Sequence, residues 1–287
     1  MKKDILEYRP GEFLGDKIVI SDKVCPTHGV YLWRMIDKVK PTDKKEFCII
    51  SACPICESGQ IEKKKTETLE TELTNAELSN SYALLETRSI IPPKLKEASY
   101  KTFTISNDTD KKARDFGLYL NEYYFKQGGK GNAILQGSHG VGKSHLTISI
   151  ARKLNEDFKA IGEPKRVLFY PVASLFRLIE SGVDYNENQR NQGRMMELLR
   201  GADFLFLDDL GKESTFGNQG KEAANSRQRF LFELLDSRTR TVVNTNLTGE
   251  QLKKIYDPAI VSRLMEGVGR NFFAYPETAE DKRRLPF

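Results

Sequence analysis

The apolar residues of this chain change rhythm near residue 91. Beyond it, short apolar runs at 132–135, 167–169, 204–207, 242–244 and 271–274 alternate with segments of helical periodicity at 144–158, 173–181, 188–199 and 226–237. A further short helix is expected at 249–255. Ahead of the first run, 111–127 sets Phe116, Leu120 and Tyr124 on one helical face, and Gly128-Gly129 ends it. Apolar runs separated by helices are strands buried on both faces. The expectation is an α/β fold with a five-stranded parallel sheet flanked by helices on both sides.

Before residue 91 the pattern is weaker. Leu69, Leu73 and Ala76 sit at helical spacing behind the charged stretch Glu62-Lys63-Lys64-Lys65, and Leu84 and Leu85 follow. This reads as a charged helix or linker, stopped by Ile91-Pro92-Pro93. The expected divisions are 1–60, a small cysteine-bearing domain; 61–90, a helical linker; and 91–287, the main domain. With 287 residues and 39% apolar content, one large core and one small one are within reach. No run of about 18 apolar residues occurs, so no membrane span is expected. Lys2 and Lys3 are not followed by an apolar stretch, so no secretory signal is expected and the cytoplasm is the default location. Lys and Arg number 45 against 40 Asp and Glu, a formal charge of +5. That excess permits binding to nucleic acid without requiring it.

Gly137-Ser138-His139-Gly140-Val141-Gly142-Lys143-Ser144 fits the phosphate-loop pattern G-x-x-x-x-G-K-[ST], with an apolar run before it and a helical stretch after it. The glycines let backbone N–H groups turn toward phosphate oxygens, and the helix that follows adds the positive end of its dipole. In this reading the loop from Gly137, with Gly140, Val141, Gly142, Lys143, Ser144 and His145, holds ATP. Lys143 reaches the β- and γ-phosphates and Ser144 ligates Mg²⁺, while the His145 side chain is expected on the helix surface. Phe204-Leu205-Phe206-Leu207 drives a strand into the sheet and delivers Asp208 and Asp209 at its end. Asp208 is expected to engage Mg²⁺ and Asp209 to act as general base toward water. Asn246, just past the strand 242–244, can reach the γ-phosphate and that water.

All four cysteines, Cys25, Cys48, Cys53 and Cys56, lie in one short window. Cys25-Pro26-Thr27-His28 and Cys53-Pro54-Ile55-Cys56 form two knuckles, which together give a Cys₃His set of the structural zinc type. Trp33, Phe47 and Ile49–Ile50 are the expected small core around it. Cys48 is the spare thiol, able to stand in for His28.

The order of parts resembles the DnaC/DnaI-type helicase loaders of bacteria and phages, which are AAA+ ATPases of the initiator clade. The resemblance rests on the phosphate loop, Asp208-Asp209, Thr245-Asn246-Leu247, Ser262-Arg263-Leu264, Asp281-Lys282-Arg283 and the lead-in 91–103, and covers about 90–284. It implies that Arg263 is an arginine finger reaching a neighbouring subunit's nucleotide and that Arg283 is a second sensor acting in cis. It further implies packing of 100–103 near the adenine and the absence of a helical lid. The implied partners are a hexameric DnaB-type replicative helicase, contacted by the N-terminal domain, single-stranded DNA, and further copies of the chain. Asp209 departs from the Glu common in AAA+ enzymes, which implies slow hydrolysis. An IstB-type transposition helper ATPase shares this core, and a non-hydrolysing ATP-binding adaptor is the rival from another class. Phe176, Arg177, Tyr185 and Arg194 are a candidate DNA-stacking patch, against which stands an ordinary solvated face.

Overall fold

The computed structural model describes residues 9–14, 18–35, 51–181, 185–211 and 221–283. They form two compact units, Met1–Asn75 and Ala76–Phe287. In the first, β1 (Phe13–Leu14), β2 (Ile18–Val24), β3 (Tyr31–Met35) and β4 (Ser51–Ala52) pair antiparallel in sequence order. Helix α1 (Pro54–Thr87) starts immediately after Cys53, so the stretch read as a charged linker is part of one continuous helix of 34 residues. Phe47, Cys48, Ile49 and Ile50 lie outside the described residues.

The second unit contains α2 (Asp108–Phe125), β5 (Ala133–Gln136), α3 (Lys143–Ala160), β6 (Val167–Pro171), α4 (Val172–Ile179), α5 (Tyr185–Arg200), β7 (Phe204–Leu210), α6 (Lys221–Asp236), β8 (Thr241–Thr245), α7 (Gly249–Ile255), α8 (Pro258–Leu264) and β9 (Phe272–Ala274). The five strands form a parallel sheet in the order β6-β7-β8-β5-β9. Strand alternation sorts its side chains onto two cores. Val167, Phe169, Phe204, Phe206 and Val242 pack with Leu120 and Tyr124 of α2 and with Leu146, Ile150 and Leu154 of α3. Leu168, Tyr170, Leu205, Leu207 and Val243 pack on the other face with residues of α4 to α8, among them Leu175, Leu199, Leu231, Leu252 and Leu264. The α/β fold with a five-stranded parallel sheet and helices on both sides is therefore as expected, and helix 249–255 falls where the sequence put it.

The segment just after α1 closes one sheet edge. Ile90 N–H donates to Phe169 O at 3.0 Å and Phe169 N–H to Ser89 Oγ at 2.9 Å, so β6 does not present an open edge there. Helix α8 was not anticipated. It has an N-cap in Asp257, whose carboxylate accepts from Ala259 N–H at 2.8 Å, and a proline at its first turn. Among the described residues no helix is long and apolar enough to cross a membrane.

Two expectations fail on burial. Phe176, set down as a base-stacking aromatic, is 2% exposed in the core beside Phe230, with Arg227 over its ring. The apolar stripe Val172, Leu175, Phe176, Ile179 buries it. Trp33 is half-buried and is not part of the small core of the first unit, which is Cys25, Val30 and Cys53, with Leu32 and Cys56 against them.

Candidate functional site

Strand order decides which side chains meet. Inserting β8 between β5 and β7 sets the loop after β5, the end of β8 and the end of β7 side by side at the carboxyl edge of the sheet. Gln136 is level with Thr245, and Thr245 with Leu210, so Gly137, Asn246 and the Asp208-Asp209 pair share one edge. The cleft there is lined by Lys94, Leu95, His139, Gly140, Gly142, Lys143, Ser144, His145, Asp209, Asn246 and Arg283 and encloses about 550 Å³, part of it open to solvent.

The loop turns on glycines with left-handed backbone, Gly140 at φ 80° and Gly142 at φ 99°, the latter at the N-cap of α3. Val141 is buried in the core, so it offers the cleft its backbone alone. Lys143 is 5% exposed. Its Nζ donates to Gly137 O at 2.9 Å, Ser138 O at 2.8 Å and Asn246 Oδ1 at 2.5 Å. All three acceptors are neutral, so a buried positive charge lies at the floor of the cleft, where an anion fits. Burial pulls this ammonium down to about 8, against the charges of Asp209 and Asp208 that favour it.

β7 carries one residue more than β8 between Leu207 and Leu210. This bulge holds both aspartates, with Asp209 at φ 56°. Simple alternation along the strand would aim the two carboxylates at opposite faces; the bulge re-aims them. Asp208 is 4% exposed and accepts hydrogen bonds from Asn244 Nδ2 and from the Ser144 hydroxyl. Burial first, and the charge of Asp209 second, push its carboxyl up to about 6. Asn246 Nδ2 donates to Asp209 Oδ1 at 3.4 Å, tying the ends of β7 and β8 together. Ser144 and Asp208 thus offer a hard-oxygen pair suited to Mg²⁺ beside the lysine.

His145 is not on a free helix surface. Its Nε2 lies 3.1 Å from Ser99 O and 3.2 Å from Thr102 Oγ1, and its ring meets the Phe103 edge at 5.5 Å. The lead-in 93–103 therefore packs against α3 at the mouth of the cleft, with Phe103 buried. Burial lowers the imidazole below its usual range.

The two terminal arginines differ in placement. Arg283 lines the cleft, with its N–H on Asp281 Oδ1 at 2.9 Å, and Lys282 N–H donates to Gly140 O at 3.2 Å. The Lys282 ammonium is engaged elsewhere, 2.7 Å from Asp110 and 3.1 Å from Thr104 O. Arg263 sits on the last turn of α8, paired with Asp236 at 2.7 Å and Glu266 at 3.4 Å. Its carbonyl accepts from Asn132 Nδ2 at 2.8 Å. Asn132 precedes β5 and the phosphate loop follows it, so the length of the strand, about 13 Å, separates Arg263 from its own chain's cleft.

The first unit brings the four knuckle residues together. The ligand atoms of Cys25, His28, Cys53 and Cys56 all lie within 4.8 Å of one another. Cys25 and Cys56 Sγ are 3.9 Å apart, and His28 Nδ1 is 3.8, 3.6 and 3.3 Å from Cys25, Cys53 and Cys56. A tetrahedral zinc with ordinary bond lengths needs sulfurs about 3.8 Å apart and sulfur to nitrogen about 3.6 Å. The set therefore fits zinc. Cys53 immediately precedes α1 and Cys56 lies in its first turn, where helix N–H groups favour thiolates. Backbone N–H groups of His28 and Thr27 lower Cys25 to about 6, while desolvation and the neighbouring thiols raise Cys56 to about 11. A dication removes that conflict.

Asn244 and Thr147 were not singled out from sequence, yet both are fully buried beside the aspartates. The family of IstB-like ATP binding proteins matches residues 96–267, more than half of the chain. A search of curated proteins returned no match. Among solved structures, DnaI is similar over 68% of this chain and 95% of its own at 24% identity and a TM-score of 0.48. The DnaC helicase loader is similar over 64% and 100% at 18% and 0.42, and domain III of the Thermotoga maritima replication initiation protein DnaA over 66% and 69% at 16% and 0.47. On the match across 96–267, which takes in the phosphate loop, both aspartates, Asn246 and Arg263, the chain belongs to the IstB-like ATP-binding protein family, with an AAA+ P-loop-type fold.

Proposed function

We propose that the chain is an ATP-dependent loader of a hexameric DnaB-type replicative helicase onto single-stranded DNA. The observation that carries this reading is the placement of Arg263 at the far end of β5 from its own cleft. From there the guanidinium does not reach its own chain's phosphates, which supports the reading that it serves a neighbouring copy's nucleotide and that ATP joins the copies into an assembly. The order of motifs that resembles the DnaC/DnaI-type loaders supports the same reading.

In the proposed division of the chain, 1–60 is a zinc-built docking domain, 61–90 a helical connector and 91–287 the ATPase. Phe13, Val24 and Tyr31 are exposed in the first part and offer a surface for a protein partner. In the ATPase, Gly137, Gly140, Val141, Gly142 and Ser144 cradle the phosphates and Lys143 neutralises them, with His145 and Arg283 alongside. Ser144 and Asp208 would hold Mg²⁺, which when bound would neutralise phosphate charge. Asp209 takes the proton of the attacking water, and Asn246 orients that water. Hydrolysis to ADP and phosphate is slow, regulated by DNA and helicase, and releases the loader.

The family match itself favours a second reading, an IstB-like transposition helper ATPase. The test mixes the purified chain with its host's replicative helicase or a transposase, with and without ATP, and measures complex mass and turnover. An ATP-dependent complex with the helicase supports the loader. An ATP-dependent complex with the transposase alone supports the second reading. ATP binding without turnover, with DNA and helicase present, identifies a non-hydrolysing adaptor.

A further inference from the structure

We infer that Asn244 is the positioning residue of the nucleotide site: its single amide sets the direction of both aspartates and couples them to the helix that begins at Lys143. The inference rests on the nucleotide reading of that site and assigns a residue that reading does not use.

Asn244 is 0% exposed, in the middle of β8, between Val243 and Thr245. An apolar β-branched residue would pack there without any polar group to satisfy. Its amide is instead fully engaged on three sides. Oδ1 accepts the Asp209 N–H at 2.7 Å; Nδ2 donates to the Asp208 carboxylate and to Thr147 Oγ1 at 3.1 Å. The partners fix the amide's orientation, because a flip would set NH₂ against N–H and C=O against a carboxylate. The Asp209 N–H is the one displaced by the bulge, at a left-handed residue whose conformation costs about 1–2 kcal/mol without support. Asn244 supplies that support and at the same time aims Asp208.

The third bond leads to the phosphate loop. Thr147 is itself 0% exposed, and its hydroxyl donates to Lys143 O at 2.9 Å. One buried chain of hydrogen bonds therefore runs from the aspartate bulge through Asn244 and Thr147 to the first residue of α3. Holding an N–H and a carboxylate at once takes an acceptor and a donor on separate atoms, which a short side chain provides only as Asn. Aspartate keeps the acceptor, loses the donor, and sets one carboxylate against another.

The test measures equilibrium binding of a fluorescent ATP analogue, once with Mg²⁺ and once with EDTA, for the full chain and for Asn244→Asp, Thr147→Val and Thr147→Ser. Melting by circular dichroism checks folding. The parent is expected to bind more tightly with Mg²⁺. Asn244→Asp should lose that Mg²⁺ enhancement by about 10-fold or more, read as the ratio of its own affinities in Mg²⁺ and EDTA. Thr147→Val should lose part of the enhancement and Thr147→Ser should retain it. A folded Asn244→Asp chain with the parent's enhancement overturns the inference. If that variant does not fold, the Thr147 pair decides, and a Thr147→Val chain that responds to Mg²⁺ as the parent does overturns it. A parent that binds ATP equally well in Mg²⁺ and EDTA also overturns it, and a parent that binds no ATP overturns the nucleotide reading along with it.

Discussion

Replacing Asp208 with Asn is expected to stabilise the nucleotide-free chain, and the gain should depend on pH in a defined direction. Burial and the charge of Asp209 raise the Asp208 carboxyl from 3.8 to about 6. The folded chain therefore holds this proton more tightly than the unfolded one. The associated stability is complete below about pH 4 and is lost as pH rises through about 6. A rise of about two units amounts to about 3 kcal/mol at pH 7 to 8 and to about half that at pH 5. The amide removes this penalty. Asn244 can still donate to the oxygen that remains, while the new NH₂ needs a partner and takes back about 1 kcal/mol. A net gain of about 1–2 kcal/mol at pH 8 corresponds to a rise in melting temperature of about 2–8 °C for a unit of this size. Calorimetric melts of parent and variant at pH 5 and pH 8, without Mg²⁺ or nucleotide, read it directly. No rise at pH 8, or an equal rise at both pH values, would mean that Asp208 carries no such burial penalty. The same variant should lose its Mg²⁺-dependent affinity for ATP, since stability and ion binding compete at this carboxylate.

Three further outcomes are expected. Purified chain should carry one zinc, Cys48→Ser should keep it, and Cys53→Ser should lose it; metal analysis together with thiol titration decides, and full zinc in Cys53→Ser contradicts the Cys₃His set. Arg263→Ala should leave single-chain ATP affinity within about twofold while lowering turnover of the assembled form by about 10³, as loss of an arginine finger does; its surface pair with Asp236 adds at most about 1 kcal/mol to stability. Lys282→Met should leave Asp110, 3% exposed at its side chain, without its ammonium 2.7 Å away. A stability loss of about 2 kcal/mol, together with weaker ATP binding because Arg283 loses its neighbouring anchor, is the expected reading from melts and titration.

The parts of this site that can be read along the chain are those whose chemistry is local. The phosphate loop needs closely spaced glycines and a lysine within one short stretch, and it stands between β5 and α3 as the motif requires. Helix α7 announces itself through Thr248 and Gln251, which form a capping box. Helix α8 is as short as α7 and carries its signal in Asp257-Pro258, an N-cap followed by a first-turn proline with no capping box. Asn244 could not be found this way, because its partners come from β7 and α3 and only the strand order brings them to it. The bulge is equally hidden: Asp208 and Asp209 look like a strand end in sequence, and the extra residue exists only relative to β8. Phe176 misled because an aromatic beside Arg177 suggests stacking, whereas the helical stripe around it points into the core. His145 misled in the opposite way, since its helix face is polar but the lead-in segment folds over it.

Whether ATP occupies the cleft whose floor is Lys143 is decided by titrating parent and Lys143→Ala with labelled ATP in the presence of Mg²⁺. The parent should saturate with one ATP per chain, and the variant should bind at least about 100-fold more weakly, the worth of a buried charge-assisted contact. Equal affinity in the two chains would mean that the nucleotide does not bind over Lys143.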